Sequence, residues 1–237
     1  MPAPIRLAVL VSGGGTTLQN LIDRIAAGRL AAEIVGVVSS RAAAGGVGRA
    51  ERAGLPVVVA ERKNLTPPPP SLGGKGAPNQ DGNPLTPPSL LGKGAGGLGF
   101  FPDRVWAAVR GFAPDLVCLA GWLHLLPIPA DFRHRVLNVH PSLLPAFGGK
   151  GMYGHHVHAA VLAYGARVTG CTVHFADETY DTGPILVQRC VPVKDGDGPD
   201  TLAARVFQAE CEAYPEAIRM VADGRVTVQG RRVVVSG

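Results

Sequence analysis

The chain has 237 residues, 46% hydrophobic and 17% charged, enough for one large core or two small ones. No apolar run is long enough to span a bilayer, and Met1-Pro2-Ala3-Pro4-Ile5-Arg6 lacks a signal-peptide pattern, so a cytoplasmic protein is expected. The net charge of +5 comes from scattered Lys and Arg without interleaved aromatics, which favours small anionic substrates over nucleic acid.

Ile5-Arg6-Leu7-Ala8-Val9-Leu10-Val11 reads as a buried strand. Ser12-Gly13-Gly14-Gly15-Thr16-Thr17 follows, and then Leu18, Leu21, Ile22 and Ile25 recur at helical spacing. A second strand is expected at 34–38, ending in Ser39-Ser40-Arg41, then a short helix at 48–53 and a third strand at 57–59. This alternation predicts an α/β fold: a Rossmann-like, mostly parallel sheet with helices on both faces.

Residues 64–99 break the pattern. Leu65-Thr66-Pro67-Pro68 is echoed by Leu85-Thr86-Pro87-Pro88 within a stretch rich in proline and glycine. Such a segment buries too little apolar surface to offset its chain entropy. We read it as a disordered insertion within a single domain spanning 1–237; a proline-rich partner ligand is the alternative.

Order resumes at Phe101, with Val105, Trp106 and Val109 on a helical stripe, and a strand follows at 116–120. Gly121-Trp122-Leu123-His124-Leu125-Leu126-Pro127 is the loop after it. Val136 and Leu137 lead a strand to Asn138 and His140. A helix at 157–164, strands at 170–175 and 184–193, a long helix at 201–221 and a hairpin at 226–235 with a Gln229-Gly230 turn complete the chain. His174 reads as a strand residue with a structural hydrogen bond, and His134 as a surface residue. Cys118, Cys171, Cys190 and Cys211 form no CxxC pair and read as buried thiols.

Three places carry chemistry. The loop Ser12–Thr17 joins a strand to a helix N-terminus, where glycines and free N–H groups suit an anion. A dinucleotide pocket competes, and so does a plain tight turn. The second strand ends without a carboxylate, though Arg41 keeps a phosphorylated dinucleotide open. Asn138 and His140, two apart on one strand, point to the same face. With Asp181, from the turn Asp181-Thr182-Gly183-Pro184, they supply an amide donor, a titratable ring and a carboxylate. His155, His156 and His158 invite a metal reading, but no carboxylate or cysteine completes the set, so no metal is expected.

Asn138-Val139-His140-Pro141-Ser142-Leu143-Leu144-Pro145 followed by Asp181-Thr182-Gly183-Pro184 resembles the folate-dependent formyltransferase family. The resemblance covers most of the chain outside 64–99 and implies the formyltransferase fold. It also implies an enzyme that moves the formyl group of 10-formyltetrahydrofolate, its co-substrate, to the amine of glycinamide ribonucleotide in purine synthesis. Asn138, His140 as imidazolium, and Asp181 would be catalytic. Gly15, Thr16 and Thr17 would hold the substrate phosphate, and Glu210 its amine and ribose. Leu123, His124, Leu125 and Leu126 would line the folate pocket, with Ala176, Asp177, Glu178, Thr179 and Tyr180 closing over the pterin. Thr16-Thr17 stand where relatives often carry Ser-Asn, and His124 where arginine is common. Neither nucleic acid nor membrane is implied, and monomer and homodimer stay open. Methionyl-tRNA formyltransferases and formyltetrahydrofolate hydrolases share the triad but usually carry a further C-terminal or N-terminal domain. A reductase using a phosphorylated dinucleotide and a non-catalytic phosphate- or folate-binding module are the remaining readings.

Overall fold

The computed structural model describes residues 3–61 and 101–236, so the repeat-bearing stretch 64–99 lies outside the described residues. In chain order the elements are β1 (Ile5–Val11), α1 (Thr16–Ala26), β2 (Ala32–Ser39), α2 (Gly45–Arg52), β3 (Val57–Val59), α3 (Phe101–Phe112), β4 (Leu116–Leu119) and β5 (Val136–His140). Then come α4 (His155–Tyr164), β6 (Val168–Phe175), β7 (Ile185–Pro192), α5 (Pro199–Ala222), β8 (Val226–Gln229) and β9 (Arg232–Val235). Among the described residues no helix is long and apolar enough to cross a membrane.

Strand alternation explains the layering. On β1, Leu7, Val9 and Val11 join one core cluster, with Leu18 and Leu21 of α1 and Leu202 and Val206 of α5. Ala8 and Leu10 join the other, with Val105, Trp106 and Val109 of α3. All five β1 side chains are fully buried, which is why the strand is a continuous apolar run.

The large sheet has the order β3-β2-β1-β4-β5-β6-β7. Strands β3, β2, β1, β4 and β5 pair in parallel, whereas β6 runs antiparallel to β5 and to β7. The chain winds outward from β1 in one direction and from β4 in the other. Loops after those two strands therefore diverge, leaving a crevice at the carboxyl ends. Two backbone bonds frame it: Ser12 N–H to the Gly121 carbonyl and Ser40 N–H to the Val11 carbonyl, both 3.1 Å.

Element boundaries shift where tertiary contacts override local preference. The α2 helix begins at Gly45 instead of 48, although glycine is a poor helix former. Its Gly46 N–H donates to the Gly13 carbonyl at 3.0 Å, pulling the first turn onto the glycine loop. The thiol expectation needs correction: Cys118 and Cys171 are buried, but Cys211 is half-buried and Cys190 exposed. Cys190 lies on β7, the edge strand, where one face is left to solvent.

Pro215 sits inside α5 without ending it. A proline has no N–H to offer the carbonyl four residues back, that of Cys211. The side-chain amide of Asn20, from α1, supplies the missing donor at 3.2 Å. Beside it the fully buried Tyr214 hydroxyl lies 3.1 Å from the Leu119 carbonyl and 2.9 Å from that of Leu137. The long helix is thus pinned beneath the ends of the two strands that frame the crevice. Tyr214→Phe keeps the packing but removes this donor. It is expected to cost about 1–2 kcal/mol, read as a lower urea midpoint at unchanged slope; an unchanged midpoint would contradict the anchoring role.

Candidate active site

The β5–β6 register assembles the centre. Asn138 lies opposite His174, and His140 opposite Thr172. The sequence reading gave His174 a structural bond only; the antiparallel pairing places it in the site. Its Nδ1 lies 3.0 Å from the Phe175 carbonyl, which can only accept, so Nδ1 carries the proton. The other ring nitrogen, Nε2, is then free to accept from Asn138 Nδ2 at 3.1 Å. No local motif signals this role, because it depends on a strand pairing across 36 residues of sequence.

Asp181 enters from the segment joining β6 to β7, with φ at 57°, a left-handed conformation that aspartate tolerates better than most residues. Phe175 N–H donates to the Pro184 carbonyl at 2.9 Å and closes this segment. At Gly183 an added Cβ would lie 1.8 Å from the Phe175 carbonyl oxygen, so only glycine fits the closure. Within it, Asp181 Oδ2 accepts from Gly149 N–H at 2.9 Å and faces His140 Nδ1 at 3.4 Å. Asp181 Oδ1 lies 3.4 Å from Asn138 Nδ2. His140 Nε2 donates to the Phe147 carbonyl at 2.9 Å. The glycine-rich stretch after β5 thereby clasps both the ring and the carboxylate.

The electrostatics follow from burial. Desolvation pushes the His140 ring below its usual 6.5, outweighing the pull of Asp181 and of the Phe147 carbonyl toward the charged form. Desolvation would raise the Asp181 carboxyl, but the His174 and His140 rings and the Gly149 N–H together hold it below the usual 3.8. Burial thus works against charge on the ring, while the groups around Asp181 favour its ionised form.

These groups open into a cleft of about 830 Å³. Thr16 and Thr17 line one side of it, at the start of α1. No side chain caps that helix, so its first-turn amides and its dipole favour an anion. Gly13, not Gly15, lines the cleft; Gly15 instead serves as the αL N-cap, and a Cβ there would meet Gly46 at 2.5 Å. Arg49 holds the Gly14 carbonyl at 2.8 Å, and Arg41 turns onto the Ser12 carbonyl at 2.9 Å instead of reaching outward.

On the same side Glu210 of α5 lines the cleft, its carboxyl pushed up to about 7 by desolvation. The opposite wall contains Leu123, His124, Leu125 and Leu126, with Ala176, Asp177, Thr179 and Tyr180 over it. The Tyr180 hydroxyl accepts from Leu125 N–H at 2.8 Å and fixes that loop against its cover. Glu178 departs from the expectation: it is exposed and outside the lining. The turn is organised instead by Asp177, which accepts from Thr179 N–H at 3.1 Å and from the Thr182 hydroxyl at 2.9 Å. Sequence reasoning also missed Phe207 and the stretch 149–154, both in the wall. His155 and His158 line the cleft, and among the described residues no group of three or more His, Cys, Asp or Glu is placed to hold a metal.

An amide, an imidazole and a carboxylate thus converge in a crevice at the switch point of an α/β sheet. A Formyl transferase family model matches residues 5–218. A chloroplastic phosphoribosylglycinamide formyltransferase from Vigna unguiculata is 38% identical over 93% of this chain and 62% of its own length. The phosphoribosylglycinamide formyltransferase of Haemophilus influenzae is 31% identical over 98% of this chain and 94% of its own. Among solved structures, glycinamide ribonucleotide transformylase 1 from Symbiobacterium toebii superimposes with a TM-score of 0.78 at 35% identity, covering 100% of this chain and 96% of that one. The chain belongs to the formyl transferase family.

Glu210 gives a test of the cleft's electrostatics. Its folded pKa of about 7 lies above the usual 4.5, so its contribution to stability is full below 4.5 and is lost as pH rises through 7. Glu210→Gln is therefore expected to unfold at higher urea than the parent at pH 8, by about 1–2 kcal/mol after allowance for its half-open position, and to match it at pH 4. A pH-independent difference would contradict this.

Proposed function

We propose that this chain transfers the formyl group of 10-formyltetrahydrofolate to the amine of glycinamide ribonucleotide, a step of purine synthesis. The observation that carries the reading is the convergence of Asn138, His140 and Asp181 where an anion-ready half of the cleft meets an apolar half. The uncapped start of α1, with Thr16 and Thr17, suits the ribose phosphate. Glu210 lies on the same side, where its carboxyl can accept from the amine and the ribose hydroxyls. Leu123, Leu125 and Leu126, with Ala176 and Tyr180, form the apolar wall that a flat heterocycle needs.

The roles follow from the resting hydrogen bonds. Asn138 has two amide protons. One is committed to His174 Nε2; the other makes only a long 3.4 Å contact to Asp181. That second proton is available to the formyl oxygen as negative charge develops on it. His140, its Nδ1 facing Asp181, would as imidazolium stabilise the same charge and keep its proton throughout. Asp181, ionised at rest, accepts the proton that the attacking amine loses and returns it to the departing folate nitrogen. One carbon–nitrogen bond forms, one breaks, and the proton moves between the two nitrogens.

A spectroscopic assay of tetrahydrofolate release tests the reading. Release that requires glycinamide ribonucleotide supports it; release without the amine indicates a hydrolase; ligand binding with no release indicates a module. Asn138→Ala is expected to lower kcat by about 10²–10³-fold while both KM values stay within about threefold. A kcat within threefold of the parent would contradict the assignment.

A further inference from the structure

His158 stands on the first turn of α4, its side chain 4% exposed, in the wall of the cleft. Its Nδ1 is sealed from solvent and has no hydrogen-bond partner. Among the described residues no hydrogen bond reaches Nε2 either. A neutral imidazole always carries one N–H, and a buried N–H without an acceptor is destabilising. Placing the proton on the sealed Nδ1 would strand a donor where nothing can reach it. Placing it on Nε2 strands only an acceptor and leaves the donor on the nitrogen that can meet a ligand. Burial, together with the nearby His155 and His140 rings, opposes a positive charge here. The ring is therefore a neutral single donor, suited to an uncharged oxygen more than to a phosphate.

The position of α4 selects the substrate. This helix packs against α5, which contributes Ala203, Phe207 and Glu210 to the cleft. The apolar wall of Leu123 to Leu126 belongs to the loop after β4. His158 thus shares the cleft with His140, close enough for their charges to interact, on a helix packed against the one that carries Glu210. We propose that His158 is a binding residue for the amine substrate, its Nε2–H donating to a hydroxyl or amide oxygen of the ribonucleotide. The inference rests on the functional reading above and adds a contact that neither the catalytic residues nor the phosphate loop provides.

Two variants test it, by calorimetry with glycinamide ribonucleotide alone and by steady-state kinetics. His158→Leu removes the donor. It should weaken ribonucleotide binding about 5- to 10-fold, leave the KM for formyl-folate within twofold, and leave the melting temperature of the unliganded protein unchanged or higher. His158→Gln places an amide N–H near the position of Nε2 and should bind the ribonucleotide within about twofold of the parent. A purely structural ring predicts the opposite pattern: a lower melting temperature and equal losses for both substrates. The proposal falls if His158→Leu binds the ribonucleotide normally, if it does not fold, or if His158→Gln is as impaired as His158→Leu. A displaced pH profile of kcat at unchanged binding would also overturn it, since His158 would then act through His140. Parent protein that releases no tetrahydrofolate sinks the functional reading and this proposal together; normal parent turnover with unchanged binding in the leucine variant sinks this proposal alone.

Discussion

The antiparallel pairing of β5 with β6 is the constraint on which the site depends. Five strands of the sheet are parallel and could belong to many α/β proteins. The reversal at β6 puts His174 directly beside Asn138 and lets the following segment return over the same strand with Asp181. A slip of one residue would turn Asn138 and His140 to the opposite face, because side chains alternate along a strand. The register is held from several directions. The Leu144 N–H donates to the Thr172 hydroxyl at 3.0 Å, and that hydroxyl donates to the Ser142 carbonyl at 2.7 Å. Gln188 of β7 adds a bond to the Leu144 carbonyl at 3.0 Å. The apolar length of the strand is thus less important to the site than these cross-strand polar ties.

Burial then sets the protonation states. The Asp181 carboxylate and the His140 imidazole face one another at 3.4 Å, with the ring 4% and the carboxylate 10% exposed. In such surroundings a proton arriving between them is bound by both, and a second negative charge beside the carboxylate is tolerated only when a proton or the Asn138 amide meets it. The site is therefore set to hold a proton transiently, which is what the exchange of one carbon–nitrogen bond for another requires. His174 contributes by fixing one proton of the Asn138 amide, so that the other has a defined direction.

Most of the fold was legible because its signals are local. The run from Ile5 to Val11 is apolar on both faces, and Leu18, Leu21 and Ile25 mark a helix by their spacing. Asn138 and His140 were readable as a pair because strand periodicity alone places them together. What escaped notice depends on contacts distant in sequence. His174 gains its role only through pairing with β5. The start of α2 moves to Gly45 because the glycine loop recruits it. Cys190 is exposed because β7 happens to be the edge strand, and Glu178 points outward because Asp177 takes the turn's hydrogen bonds. The resemblance named candidate binding residues by position, whereas the grouping of those that line the cleft into an anion-ready side and an apolar side needed the sheet's switch point.

The cleft also concentrates the polar groups that the free protein leaves poorly served. Among the described residues, desolvation alone governs the Glu210 carboxyl, His158 Nδ1 is buried without a partner, and no side chain caps the first turn of α1. In the helix behind the cleft comparable needs are met: Asn20 serves the carbonyl that Pro215 cannot, and Tyr214 lies against the carbonyls of two strand ends. A sequence able to satisfy a proline-interrupted helix has the means to satisfy these groups as well. Groups left in this state beside a cleft can be served by a ligand, and each then stabilises the complex more than the free protein. There the ligand must bring an anion, an amine or hydroxyl donor, and a neutral oxygen acceptor. A phosphorylated sugar bearing an amide-linked amine carries all three.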